Sequence, residues 1–191
     1  NGVYWANQFD NVSNMKAHFL TTGPEIWNQT EGKVDGFVCS VGTGGTISGV
    51  SKFLKEKKKN ITIALADPYG SALYSFYKKG ELKAEGESIT EGIGQGRITK
   101  NLQSLQLDES FRVSDNEALS EVFYLLKHEG LILGGSSGIN IVGAKKLAEK
   151  IGPGKTIVTI LCDYGTRYKS KIFNRKFLIS KNLQVPEWLQ K

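Results

Sequence analysis

The residues of this chain with the most chemical content are Val41-Gly42-Thr43-Gly44-Gly45-Thr46. They close an apolar run over residues 36–41 and open a stretch with Ile47, Val50, Phe53 and Leu54 at helical spacing. Glycines at such a turn let backbone N–H groups come close to a ligand. The helix that follows directs its positive end at the same spot. That combination suits an anion, phosphate above all, with the Thr43 and Thr46 hydroxyls as further donors. The plain alternative is a strand-to-helix turn that binds nothing, but three glycines interleaved with two threonines exceed what a tight turn needs.

The spacing narrows the ligand. A dinucleotide fingerprint requires G-x-G-x-x-G, and Ile47 stands where its third glycine would fall, although Asp67 supplies an acidic residue about 20 positions on. A nucleotide-binding reading is weakened by this. The P-loop fails outright, because no Gly-Lys-Ser/Thr follows. A single terminal phosphate, cupped by amides without a metal, fits better.

Composition sets the bounds. The chain has 191 residues, enough for one domain with a real core, and a formal charge of +6. Its one dense basic run, residues 55–59, falls at the far end of the glycine-loop helix, where cations suit the dipole. No aromatic residues interleave with clustered lysines on one face, so a nucleic-acid partner is not expected. No apolar run approaches the ~20 residues that span a membrane, and nothing reads as a signal peptide. Cys39 and Cys162 both end apolar runs, as buried free thiols often do. They lack metal spacing and point to a reducing compartment, cytoplasmic or organellar.

The elements that must position the loop follow from periodicity. Strand-like runs occupy residues 3–9, 34–40, 61–66, 111–113, 131–133 and 156–162. Helical segments are expected at residues 13–18, from Thr22 with Pro24 in its first turn, from the loop to about Lys58, at 73–77, at 115–129 and at 135–150. Ser114-Asp115-Asn116-Glu117 is a capping box, and Gly130 stops the helix it opens. Residues 69–106 have poor periodicity and many glycines, as functional loops do. Alternating strands and helices predict an α/β fold with a mostly parallel sheet flanked by helices. Gly42, Asp67, Gly134 and Asp163 fall at strand carboxyl ends, where such sheets bind ligands. The C-terminal residues 181–191, with Pro186 and Trp188, could pack on a neighbour or on their own domain.

Several ordered motifs now coincide. Val41-Gly42-Thr43-Gly44-Gly45-Thr46-Ile47-Ser48-Gly49, preceded by Thr21-Thr22-Gly23-Pro24-Glu25-Ile26-Trp27, closely resembles the cysteine synthase (O-acetylserine sulfhydrylase) family, with cystathionine β-synthase a near relative. Glu91-Gly92-Ile93-Gly94, Ser136-Ser137-Gly138 and Gly165-Thr166-Arg167-Tyr168 match further blocks in order. The resemblance implies a fold-type-II pyridoxal-phosphate enzyme, similar to the tryptophan synthase β chain, usually a homodimer. It implies that residues 1–10 end a small domain and residues 11–191 form the large cofactor-binding domain. By the same resemblance Gly42, Thr43, Gly44, Gly45 and Thr46 hold the cofactor phosphate, and Gln8 helps hold the substrate carboxylate. Gly92, Ile93 and Gly94 line the face where an aminoacrylate intermediate sits. His18 aligns with a family histidine but is read as a surface or capping residue. Ser136-Ser137-Gly138 is read as a helix cap.

Two departures stand out. The resemblance implies a serine hydroxyl against the pyridine nitrogen in the turn after the last buried strand, and here that turn reads Cys162-Asp163-Tyr164-Gly165. Asp163, or else Tyr164, is expected to take its place, and a carboxylate there would favour a pyridinium. Secondly, no stretch matches the family's Schiff-base lysine or its Ser/Thr-Gly-Asn-Thr-Gly loop. The chain is thus expected to be a C-terminal portion, inactive alone. The activity implied for the full protein is replacement of the acetate of O-acetylserine by sulfide to give cysteine. Its rivals are a cysteine desulfhydrase and a non-catalytic α/β module.

Overall fold

A computed structural model describes residues 2–190. Its helices are α1 (Ser13–Leu20), α2 (Thr22–Gln29), α3 (Gly45–Lys57), α4 (Leu73–Lys79), α5 (Asp115–Glu129), α6 (Gly135–Ile151) and α7 (Arg175–Ser180). The strands are β1 (Gly36–Cys39), β2 (Thr62–Pro68), β3 (Glu109–Val113) and β4 (Ile157–Thr159). All strand pairs are parallel, in the order β3-β2-β1-β4. The expected α/β architecture is present.

Strand alternation explains the two-sided core. Phe37, Cys39, Ile63 and Leu65 face one layer with Ile47, Val50 and Leu54 of α3 and Ile26 of α2. Val38, Ala64 and Ala66 face the other, against Ile139, Val142 and Leu147 of α6 and Ala118 of α5. β1 is buried throughout, as a parallel strand covered on both faces must be. Small residues bring α6 close: a Cβ on Gly143 would stand 2.5 Å from that of Ala66.

α5 begins as predicted, with Ser114 and Glu117 in a reciprocal capping box and Gly130 closing the helix in the left-handed region. Two of the basic residues at the end of α3 form ion pairs: Lys55 with Asp108 at 2.8 Å and Lys58 with Asp35 at 2.9 Å. The C-terminal residues pack on their own domain, with Leu183, Val185 and Leu189 against Leu119, Phe123 and Leu178.

Three expected strands differ. Residues 3–9 form no strand, and Val3, Tyr4 and Trp5 are exposed, so the apolar run has no covering layer among the described residues. Residues 131–133 reduce to a single antiparallel bridge, Leu133 with Tyr164. The run over 156–162 yields only the half-buried edge strand β4. Cys162, beyond that short strand, is therefore exposed, whereas Cys39 is buried.

Candidate functional site

The glycine loop leaves the carboxyl end of β1 and turns into α3 through Gly44, whose φ of 91° is open to glycine at little cost. Three approaches fix its shape. A Cβ on Gly42 would lie 2.5 Å from the Gly92 carbonyl oxygen, one on Gly44 would lie 2.5 Å from Leu102 Cγ, and one on Gly45 would collide with Asn14 Oδ1. The glycines therefore admit close neighbours that any side chain at these positions would displace.

Those neighbours orient the hydroxyls. Asn14 Nδ2 donates to Thr43 Oγ1 at 2.9 Å, and the Gly45 amide approaches the same oxygen at 3.3 Å. Thr99 Oγ1 donates to the Thr43 carbonyl at 2.7 Å. With its lone pairs engaged, the Thr43 hydroxyl has its proton free for an outside acceptor. His18 bridges α1, α2 and α3, with Nδ1 2.9 Å from Thr22 Oγ1 and Nε2 3.2 Å from Thr46 Oγ1. It is half-buried, and burial holds its pKa below the ordinary value. His18 is thus neither a surface residue nor a cap; it braces Thr46.

The amides of Gly44, Thr46 and Ile47 have no intramolecular partner among the described residues, while Ser48 N–H bonds the Gly44 carbonyl at 3.1 Å. They are the unpaired donors of a helix N-terminus. Gly42, Thr43, Gly44, Thr46 and Ile47 line a cavity of about 260 Å3, together with Cys39, Asn140 and Cys162. Gly45, expected in the same role, does not line it.

A strap borders this cavity. Asp115, the first residue of α5, accepts from Ser88 Oγ at 2.6 Å and the Ile89 amide at 2.9 Å. Beyond, the Gly94 amide donates to the Val41 carbonyl at 2.9 Å. Between these anchors Gly92 and Ile93 line the first cavity and also a second, of about 430 Å3, bordered by Ser136, Cys162, Asp163, Arg167 and Tyr168. Gly94 lines neither and serves as the tie. Among the described residues no lysine lines either cavity.

The other predicted residues fall as follows. Gln8 is exposed and lines neither cavity; its carbonyl is held by Asn14 Nδ2 at 3.0 Å and Asn101 Nδ2 at 3.3 Å. Asp163 lines the second cavity, but its Oδ2 accepts from Tyr168 Oη at 2.8 Å and lies 3.7 Å from Arg167. That contact, with burial the larger cause, drives the Tyr168 phenol up to about 12. Tyr164 departs from expectation: it is 73% exposed and lines neither cavity, because the bridge to Leu133 turns it outward. Asp67 also departs: it is buried near the end of β2, and its Oδ2 accepts from the Tyr74 amide in the first turn of α4 at 2.8 Å. Burial lifts its carboxyl to about 6. It is therefore unavailable to a nucleotide ribose.

Sequence reasoning missed Ser136 as a lining residue. It lies in the first turn of α6, 6% exposed, and lines the second cavity rather than capping. Its neighbour Ser137 accepts the Cys162 amide at 3.0 Å instead of closing the helix end. Asn14, Thr99, Asn101 and Asn140 were missed too, since each is a lone polar residue without a motif.

Residues 1–163 match the family described as pyridoxal-phosphate dependent enzyme. The chain is 52% identical to cysteine synthase 1 of Neurospora crassa over 98% of its own length and 52% of the relative's. It is 49% identical to cysteine synthase of Dictyostelium discoideum, covering 97% and 52%. It is 41% identical to a putative mitochondrial cysteine synthase of Saccharomyces cerevisiae, covering 98% and 52%. The chain spans about half the length of these curated relatives. Among solved structures, the O-acetylserine dependent cystathionine beta-synthase of Helicobacter pylori superposes with a TM-score of 0.78 at 34% identity, over 86% of this chain and 51% of that one.

Proposed function

The chain belongs to the pyridoxal-phosphate dependent enzyme family, and from that premise we propose that it is the cofactor-phosphate-binding portion of a cysteine synthase-like enzyme. The full protein would replace the acetate of O-acetylserine with sulfide to give L-cysteine. The names of the relatives, each a cysteine synthase, favour this direction over desulfuration. They also favour small-molecule substrates. The mitochondrial label of the yeast relative supports an organellar site as readily as the cytoplasm. A homodimer is part of the proposal.

The observation that carries the reading is the open cradle: unpaired amides of Gly44, Thr46 and Ile47 and a polarised Thr43 hydroxyl facing one cavity. A phosphate monoester fits these donors, and the residues present suit pyridoxal phosphate. When bound, the cofactor supplies the electron sink that lets an activated serine lose its α-proton and leaving group. Thr43, Gly44 and Thr46 would hold the phosphate, with Gly42 and Gly45 admitting the second layer. Gly92 and Ile93 would cover one ring face, and Gly94 would fix their height. Ser136 offers a neutral hydroxyl on the second cavity, and Asp163 offers a carboxylate there whose Oδ2 is engaged with Tyr168 while its buried Oδ1 has no hydrogen-bond partner among the described residues. Gln8 would reach the substrate only with help from outside this chain. With no lysine at the cavities among the described residues, the covalent tether and the α-proton base would also come from outside, and the chain alone should bind without turnover.

Calorimetric titration with pyridoxine 5′-phosphate, pyridoxine and orthophosphate tests this. The ester should bind at least about tenfold more tightly than pyridoxine, a difference of about 1.4 kcal/mol from phosphate contacts. Equal binding of the two, or none by the ester, overturns the reading.

A further inference from the structure

Cys162, Gly92 and Ile93 are the three residues that border both cavities, so they frame the passage between them. Cys162 is held through both its backbone and its side chain. Its amide donates to Ser137 Oγ at 3.0 Å, and its sulfur accepts from Asn140 Nδ2 at 3.5 Å. Asn140 is itself fully buried and fixed, accepting the Ser40 amide at 2.7 Å and donating to the Ile160 carbonyl at 2.7 Å. A flat ring extending from the phosphate cradle toward Ser136 has to cross this passage.

We propose that Cys162 forms the wall of the slot that takes the cofactor's ring, opposite the Gly92 and Ile93 strap, so that a bound pyridoxyl phosphate covers the thiol. The inference rests on the functional reading above and adds a residue to it. A polarisable sulfur beside an aromatic ring is a favourable contact. Partial desolvation by the surrounding chain raises the thiol's pKa, so it contributes packing and no charge.

The chain has two cysteines, and Cys39 is 2% exposed, so alkylation isolates the other. The full chain is treated with a maleimide at pH 7.5, alone, with saturating pyridoxine 5′-phosphate, or with orthophosphate. This ester has an alcohol in place of the aldehyde and cannot condense with lysines or the thiol. Binding of each ligand is measured separately by calorimetry. The expected result is at least a tenfold slower reaction of Cys162 with the ester bound and less than a twofold change with orthophosphate. Binding of the ester with an unchanged rate overturns the inference and leaves the functional reading intact. Equal protection by orthophosphate also overturns it, since cradle occupancy would then suffice. Failure of the ester to bind overturns both. In addition, Cys162→Phe should retain orthophosphate binding and lose at least tenfold for the ester, whereas Cys162→Ser should stay within threefold. Should the bulky variant not fold, protection in the unaltered chain still decides.

Discussion

Asn14 Nδ2 lies 2.9 Å from Thr43 Oγ1, across 29 positions of sequence, and fixes which way the Thr43 hydroxyl points. Because the amide can only donate, the threonine oxygen must accept there, and its proton is left for a ligand. Asn14→Ala should weaken pyridoxine 5′-phosphate by about fivefold, near 1 kcal/mol for one neutral hydrogen bond. Thr43→Ala should cost more, since a direct donor is lost as well. Calorimetry compares them, and an Asn14→Ala affinity equal to that of the unaltered chain refutes the role.

Gly42 tests whether loop and strap are packed as one unit. Adding a Cβ there sets it 2.5 Å from the Gly92 carbonyl, so the strap must move. Gly42→Ala should destabilise the chain by about 1–3 kcal/mol, the usual cost of overpacking. It should also raise the proteolytic sensitivity of residues 86–95. Urea unfolding and limited proteolysis read the two effects.

The ring end separates Ser136 from Tyr164. Ser136→Ala should weaken the ester by several-fold, on the order of one hydrogen bond, and Tyr164→Phe should leave it unchanged. The reverse pattern would restore the tyrosine that the sequence offered as the alternative to Asp163.

One buried and one half-buried titratable group give opposite pH trends. Burial raises Asp67 from 3.8 to about 6, so the native state holds a proton that the unfolded state releases between those values. Its presence therefore lowers stability as pH rises through that window. Asp67→Asn should gain stability over the parent, more at pH 7 than at pH 5. His18 has its pKa lowered by burial, so the unfolded state protonates first as pH falls below 6.5. Stability should drop on that side, and His18→Gln should flatten the drop. Urea midpoints across pH 5–7.5 measure both.

The legible parts of this fold were those encoded locally. The glycine loop, the capping box at Ser114 and the strand–helix alternation each occupy contiguous residues, and all stand in the structure. The run at residues 3–9 misled because apolar alternation reports a face fit for burial without reporting whether a covering layer exists. Tyr164 misled because one bridge, Leu133 to Tyr164, decides which side of the chain faces the cavity. Asn14, Thr99 and Asn101 were invisible, since a lone amide or hydroxyl acquires meaning only from a partner dozens of positions away.

β1 is hydrogen-bonded on both edges and covered on both faces, and the anion loop is its direct continuation. Amide exchange at Phe37 and Val38 should consequently require global unfolding rather than local opening. The cradle is in that sense preformed: little ordering entropy remains to be lost when a ligand arrives, so its contacts count nearly in full toward affinity.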